Sequence, residues 1–119
     1  MCENIALIKE VHENMSIANA TSLAVEILRE INLAKLSDRY VSTCSVEEIF
    51  LVMFLRAMMC QEKNVILKLP SAILGNLFNI KQLVQNINRV NKSKKIIILD
   101  LMSDELSYKG CECNIEKLN

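Results

Sequence analysis

The sequence predicts an α/β fold dominated by helices, with a small parallel sheet of at least two strands. Three observations carry this. Only two glycines and one proline interrupt 119 residues, so long regular elements are expected. Apolar residues recur at helical spacing behind residues that cap helices. Two short β-branched runs, VILKL and KKIIILD, flank one such helical stretch.

The first stripe is Ile17, Ala20, Leu23, Ala24, Ile27, Leu28 and Ile31. Ser16 stands where its hydroxyl oxygen would accept a free N–H of that helix. A short polar connection, NLAKLSDRYVST, follows with room for one helical turn. Ser45 and Glu48 then form a capping box, in which each side chain satisfies the other's backbone N–H. From Val46 to Met59 nearly every residue is apolar, the exceptions being Glu47, Glu48 and Arg56. A helix apolar nearly all round is expected to be buried on most sides, at the centre of the domain or against a partner.

Val65–Leu69 reads as a strand ending at Pro70. Asn79 and Gln82 offer another capping pair, and Ile80, Leu83, Val84, Ile87 and Val90 form the stripe of a further helix. Lys95–Leu99 reads as a second strand. Its continuous apolar run suits a strand covered on both faces, as in parallel sheets. Strand, helix and strand together make a βαβ unit with the usual right-handed crossover. The polar end, residues 107–119, is expected to fray.

Composition excludes several functions. Hydrophobic residues make up 51%, so the chain is globular, and its length suits one domain. Fourteen basic and fourteen acidic residues leave no net charge to draw the chain to nucleic acid or an anionic membrane. Aromatics at 4% are too few for base stacking. The longest apolar run, Ile49 to Leu55, falls far short of the ~20 residues that span a bilayer. The first residues lack the basic start and apolar stretch of a secretory signal. Five cysteines, an odd number, fit a reducing compartment. Cys111 and Cys113 with His12 lack the second ligand pair that zinc requires, and are read as free thiols and a surface or packing histidine. Met53, Met58 and Met59 are read as core filling, with an adaptable binding face as the alternative.

The order of elements resembles the C-terminal half of an ABC-type ATP-binding subunit. That family's pattern runs L-S-G-G-Q, then a helix ending R-A-L, a strand L-L-L-D-E-P-T, a loop S-x-L-D, then a helix and a strand ending T-H-D. Here CSVEE stands at 44–48, RAM at 56–58, VILKLPS at 65–71, AIL at 72–74 and KKIIILDLM at 94–102, aligned without insertion or deletion. The opening ENIALIKEVHENMS is similar to the segment after the family's Q-loop, most of all in the subgroup serving phospholipid trafficking and outer-membrane asymmetry. INLAKLSDRY resembles the linker into the signature. The resemblance implies a helical subdomain over about 1–43, the signature helix, strand, helix and switch strand over about 44–106, and a tail from 107 to 119. It also implies a cytoplasmic chain, peripheral at most to the inner membrane beside a transporter.

What this chain lacks is the chemistry. No G-x-x-x-x-G-K-[ST] loop is present to cradle phosphates with backbone N–H groups. By the resemblance, the Mg²⁺-binding aspartate aligns with Lys68 and the water-orienting glutamate with Leu69. The loop aspartate aligns with Gly75 and the switch histidine with Leu101. The signature aligns with Cys44, Ser45, Val46, Glu47 and Glu48. Its glycines, which let a backbone approach phosphate, thus become Val46 and Glu47, and Glu47 would repel the anion. Lys68 could anchor a phosphate at the strand's end, but is read as an exposed strand-end lysine. Ser45, Arg56, Ala57, Pro70, Ser71 and Leu74 match the family. The resulting expectation is a non-catalytic ABC-ATPase-like module without cofactor or metal, associating with itself or with a transporter subunit. The alternative is the ATP-binding half of such an ATPase, its P-loop lying outside this chain. Lys68 and Leu69 would disable that half as well.

Overall fold

The computed structural model describes residues 1–70 and 80–117. It is helix-rich with a small parallel sheet, as the sequence predicts, and divides into two compact units, Met1–Lys63 and Asn64–Asn119. Residues 44–63 therefore belong to the first unit.

The first unit is built from α1 (Cys2–Glu13), α2 (Ile17–Glu30) and α3 (Val46–Met59), with α1 packed against both α2 and α3. Helix α1 is the element the sequence reading did not delimit. Its buried side chains are few, Cys2, Ile5 and Ala6, while Leu7 and Val11 are exposed. It ends at Asn14, which adopts the left-handed conformation (φ 51°, ψ 31°) that asparagine tolerates. The N-terminal ammonium donates to the carbonyls of Ser37 and Arg39, fixing the start of α1 to the connection after α2. At its other end Lys9 bonds Glu13 at 2.7 Å. That contact holds the Glu13 carboxyl below its ordinary value, with Gln61 adding a weaker hydrogen bond.

Helix α2 starts as expected, with the Ser16 hydroxyl accepting from the Asn19 N–H at 3.2 Å. The buried part of its stripe is Ala20, Ala24, Leu28 and Ile31, whereas Ile17 is exposed. Small alanines on that face permit close approach of α1. The connection holds two 3₁₀ turns, Ala34–Leu36 and Val41–Thr43, and Leu36 is fully buried. Helix α3 carries the complete capping box of Ser45 and Glu48.

Of the two expected placements of α3, at the centre of the domain or against a partner, burial within the unit is met only in part. Leu51, Val52, Phe54, Leu55 and Met59 are buried, but Val46 and Met53 are each 57% exposed. Ile49, Phe50 and Ala57, at the intervening turns, are half-buried. Positions 46, 49, 50, 53 and 57 share one face by helical spacing. A few neighbouring helices cannot surround a helix that is apolar on all sides. Of the methionines, Met59 is core and Met53 is surface.

In the second unit, β1 (Asn64–Lys68) and β2 (Lys95–Leu99) pair in parallel, with α4 (Ile80–Val90) in the connection. The register sets Asn64 against Lys95 and Lys68 against Leu99. Strand β2 has the expected bounds. Strand β1 is one residue earlier than expected, because Leu69 turns into the left-handed region at φ 52°. A Cβ makes that conformation costly for leucine. Its N–H nonetheless donates to the Leu99 carbonyl at 2.7 Å, prolonging the ladder by one bond. The expected helical stripe is buried in full: Ile80, Leu83, Val84, Ile87 and Val90. The capping pair falls partly outside the described residues, at Asn79.

The start of the tail is held, contrary to the expectation that it frays. Met102–Tyr108 forms a 3₁₀ helix against α4. Tyr108 is buried and its hydroxyl donates to the Asp100 carboxylate at 2.6 Å. Gly110 turns the chain at φ 81°, and Asn88 then donates to the Glu112 carbonyl.

Candidate functional site

The residues singled out by sequence fall into two groups, one in each unit. Cys44, Ser45, Val46, Glu47 and Glu48 form the N-terminus of α3. Two of the N–H groups there, those of Ser45 and Glu48, are satisfied by the chain itself. The Ser45 hydroxyl accepts from the Glu48 N–H at 3.2 Å, and the Glu48 carboxylate accepts from the Ser45 N–H at 2.9 Å. Arg39 lies 3.6 Å from the second Glu48 oxygen. The Cys44 thiol donates to the Tyr40 carbonyl. Two carboxylates in the first turn, Glu47 and Glu48, suit the positive end of the helix dipole. The same two charges repel a phosphate. The arrangement is a helix start stabilised from within, whose apolar Val46 faces solvent.

Lys68, Leu69 and Leu101 gather at the C-terminal edge of the sheet. In open α/β sheets this edge is where ligands bind. Lys68 is the last residue of β1 and is exposed. Leu69 is half-buried and bonded to Leu99, and Leu101 is 54% exposed. Gly75 lies outside the described residues. The carboxylate that follows β2, Asp100, is one the sequence reading gave no role. It accepts from the Leu101 N–H at 3.0 Å and from the Tyr108 hydroxyl. It therefore acts as a hinge pin between β2 and the 3₁₀ helix. The eight-residue spacing of this pair follows no helical or strand period, so only the adjacency of Asp100 to a strand end could have hinted at it.

Among the described residues no group of three His, Cys, Asp or Glu side chains is placed to hold a metal ion. All five cysteines are free thiols. Partial burial, and then neighbouring Cys111, push the Cys113 thiol above its ordinary value, which disfavours the reactive thiolate. His12 lies in the last turn of α1 and is exposed. Among the described residues no helix is long and apolar enough to cross a membrane.

What remains exposed and chemically distinctive is apolar. The α3 face carries Val46 and Met53. Strand β1 presents Ile66, 60% exposed, between exposed Asn64 and Lys68. By the register, Ile97 and Leu99 of β2 stand on this same face. The opposite face, with Val65 and Leu67, is buried. The chain matches no family model and no curated protein sequence.

Proposed function

We propose that this chain is a non-catalytic ABC-ATPase-like module that works by associating with another protein, either a transporter subunit or a second copy of itself. The observation that carries the reading is the chemistry of the sheet's C-terminal edge. A nucleotide site there requires carboxylates free to hold Mg²⁺ and to orient a water. Among the described residues the edge offers a lysine and two leucines, Lys68, Leu69 and Leu101, while the Asp100 carboxylate accepts from the Tyr108 hydroxyl and from the Leu101 N–H. The helix start that would face nucleotide in the resembling family carries Glu47 and a closed capping box. Association is supported by the two apolar faces, on α3 and on the sheet, since contiguous exposed apolar surface commonly marks an interface.

Sedimentation of the purified chain across a concentration series tests the self-association arm. The expected result is a defined oligomer, with a mass that rises from 13.5 kDa as concentration increases. A compact monomer at every concentration contradicts that arm. Co-purification with a transporter's membrane subunit, lost when Met53 is replaced by Glu, is the expected result for the other.

A further inference from the structure

We infer that the free edge of β2 pairs antiparallel with β2 of a second copy, joining two two-stranded sheets into one of four strands. The inference rests on the association reading above and names its surface.

The backbone sets the geometry. The Leu99 carbonyl accepts from the N–H of Leu69, the residue that follows β1. In a strand the N–H and C=O of one residue point to the same side, and the side alternates along the chain. Leu99, Ile97 and Lys95 therefore direct their backbone groups toward β1. Ile96 and Ile98 direct theirs to the opposite edge. Among the described residues no strand pairs with that edge, and the sheet ends at β2. The other edge is less suitable. Strand β1 stops at the left-handed Leu69 and the proline that follows it.

The edge is complementary to itself in one orientation. Around a two-fold axis at Ile97, an antiparallel partner places Ile98 of the second copy opposite Ile96. Their outward N–H and C=O groups then exchange both hydrogen bonds, and symmetry repeats the exchange at Ile98. The two Ile97 side chains meet at the axis, on the open face that already carries Ile66 and Leu99.

The same register brings Lys94 opposite Asp100 of the second copy, twice; the Asp100 carboxylate keeps its bonds to Leu101 and Tyr108 and acts here through its charge. Lysine at a sheet edge ordinarily deters a foreign strand. The antiparallel register turns that deterrent into an attraction, whereas a parallel partner in register would set Lys94 against Lys94. At Lys94 itself the backbone N–H and C=O are bonded to the Asn91 side chain, which ends the ladder at Ile96. Three consecutive isoleucines have high strand propensity. A lone two-stranded sheet is marginal, whereas three or more strands with an apolar face are stable.

Amide exchange of the full chain, followed by NMR at low and high concentration, tests the pairing. The Ile96 and Ile98 amides are expected to slow at least tenfold as dimer forms, while those of Ile97 and Leu99, already directed at β1, stay unchanged. Lys94→Glu is expected to weaken the dimer about tenfold by setting acid against acid at both ends. Ile98→Pro removes an N–H that β1 does not use, and is expected to give a folded monomer. Should Ile98→Pro fail to fold by circular dichroism, the Lys94→Glu and exchange results decide alone. A dimer in which Ile96 and Ile98 gain no protection and Lys94→Glu has no effect overturns the edge pairing while leaving the association reading intact. A strict monomer overturns both this pairing and the self-association arm.

Discussion

Replacing Leu55 by alanine is expected to lower the unfolding free energy by about 2–5 kcal/mol, the range for truncating a fully buried leucine. Leu55 is 0% exposed and sits at the middle of α3, on the side opposite the exposed stripe of Val46 and Met53. Loss of its branched end removes apolar contact and leaves a cavity that rigid neighbouring helices fill only in part. Domains of this size are stable by only about 5–15 kcal/mol, so the variant would lose a large share of its margin. Urea unfolding followed by circular dichroism measures it. Met53→Ala on the opposite side of α3, 57% exposed, is the control and is expected to change stability by about 0.5 kcal/mol at most. Equal effects from the two substitutions would mean that the assigned faces of α3 are wrong.

The second large effect is expected at Tyr108. Its hydroxyl donates to a carboxylate at 2.6 Å while its ring is buried. Hydrogen bonds to charged partners contribute about 1.5–3 kcal/mol net. Tyr108→Phe keeps the ring and removes the donor, so a loss of that size is expected in the urea midpoint with an unchanged slope. The same variant should raise the exchange rates of amides in Met102–Tyr108. If midpoint and exchange both stay at the parent values, the Asp100–Tyr108 bond does not hold the chain after β2.

Much of the fold was legible because it follows from local chemistry. Ser16, and Ser45 with Glu48, announce helix starts by the donors they satisfy. The α4 stripe is buried at every position its spacing named, because an 11-residue helix with one apolar face has one way to lie against a small sheet. Strand β2 has the bounds its isoleucines suggest. Helix α1 was not delimited, since its buried residues cluster in the first turns and its termination depends on the backbone of Asn14. The shift of β1 by one residue depends on a left-handed leucine, which no strand propensity encodes. Tyr108 was counted with a polar tail because its partner lies across a tertiary turn. As for the site, the sequence named the positions at the sheet's C-terminal edge and the types of side chain there. It could not show that Asp100 is already engaged, or which side of β2 carries unpaired backbone groups. Both depend on pairing register.

The proposed non-catalytic role requires that no nucleotide site operate in this chain. Calorimetric titration of MgATP into the purified chain tests it most directly. The predicted result is no saturable heat, with the same null for a Lys68→Asp variant, because one added carboxylate supplies neither a phosphate cradle nor a second acid. Saturable micromolar binding of MgATP by the parent chain, lost on substitution of Lys68, would contradict the claim and make Lys68 a phosphate anchor.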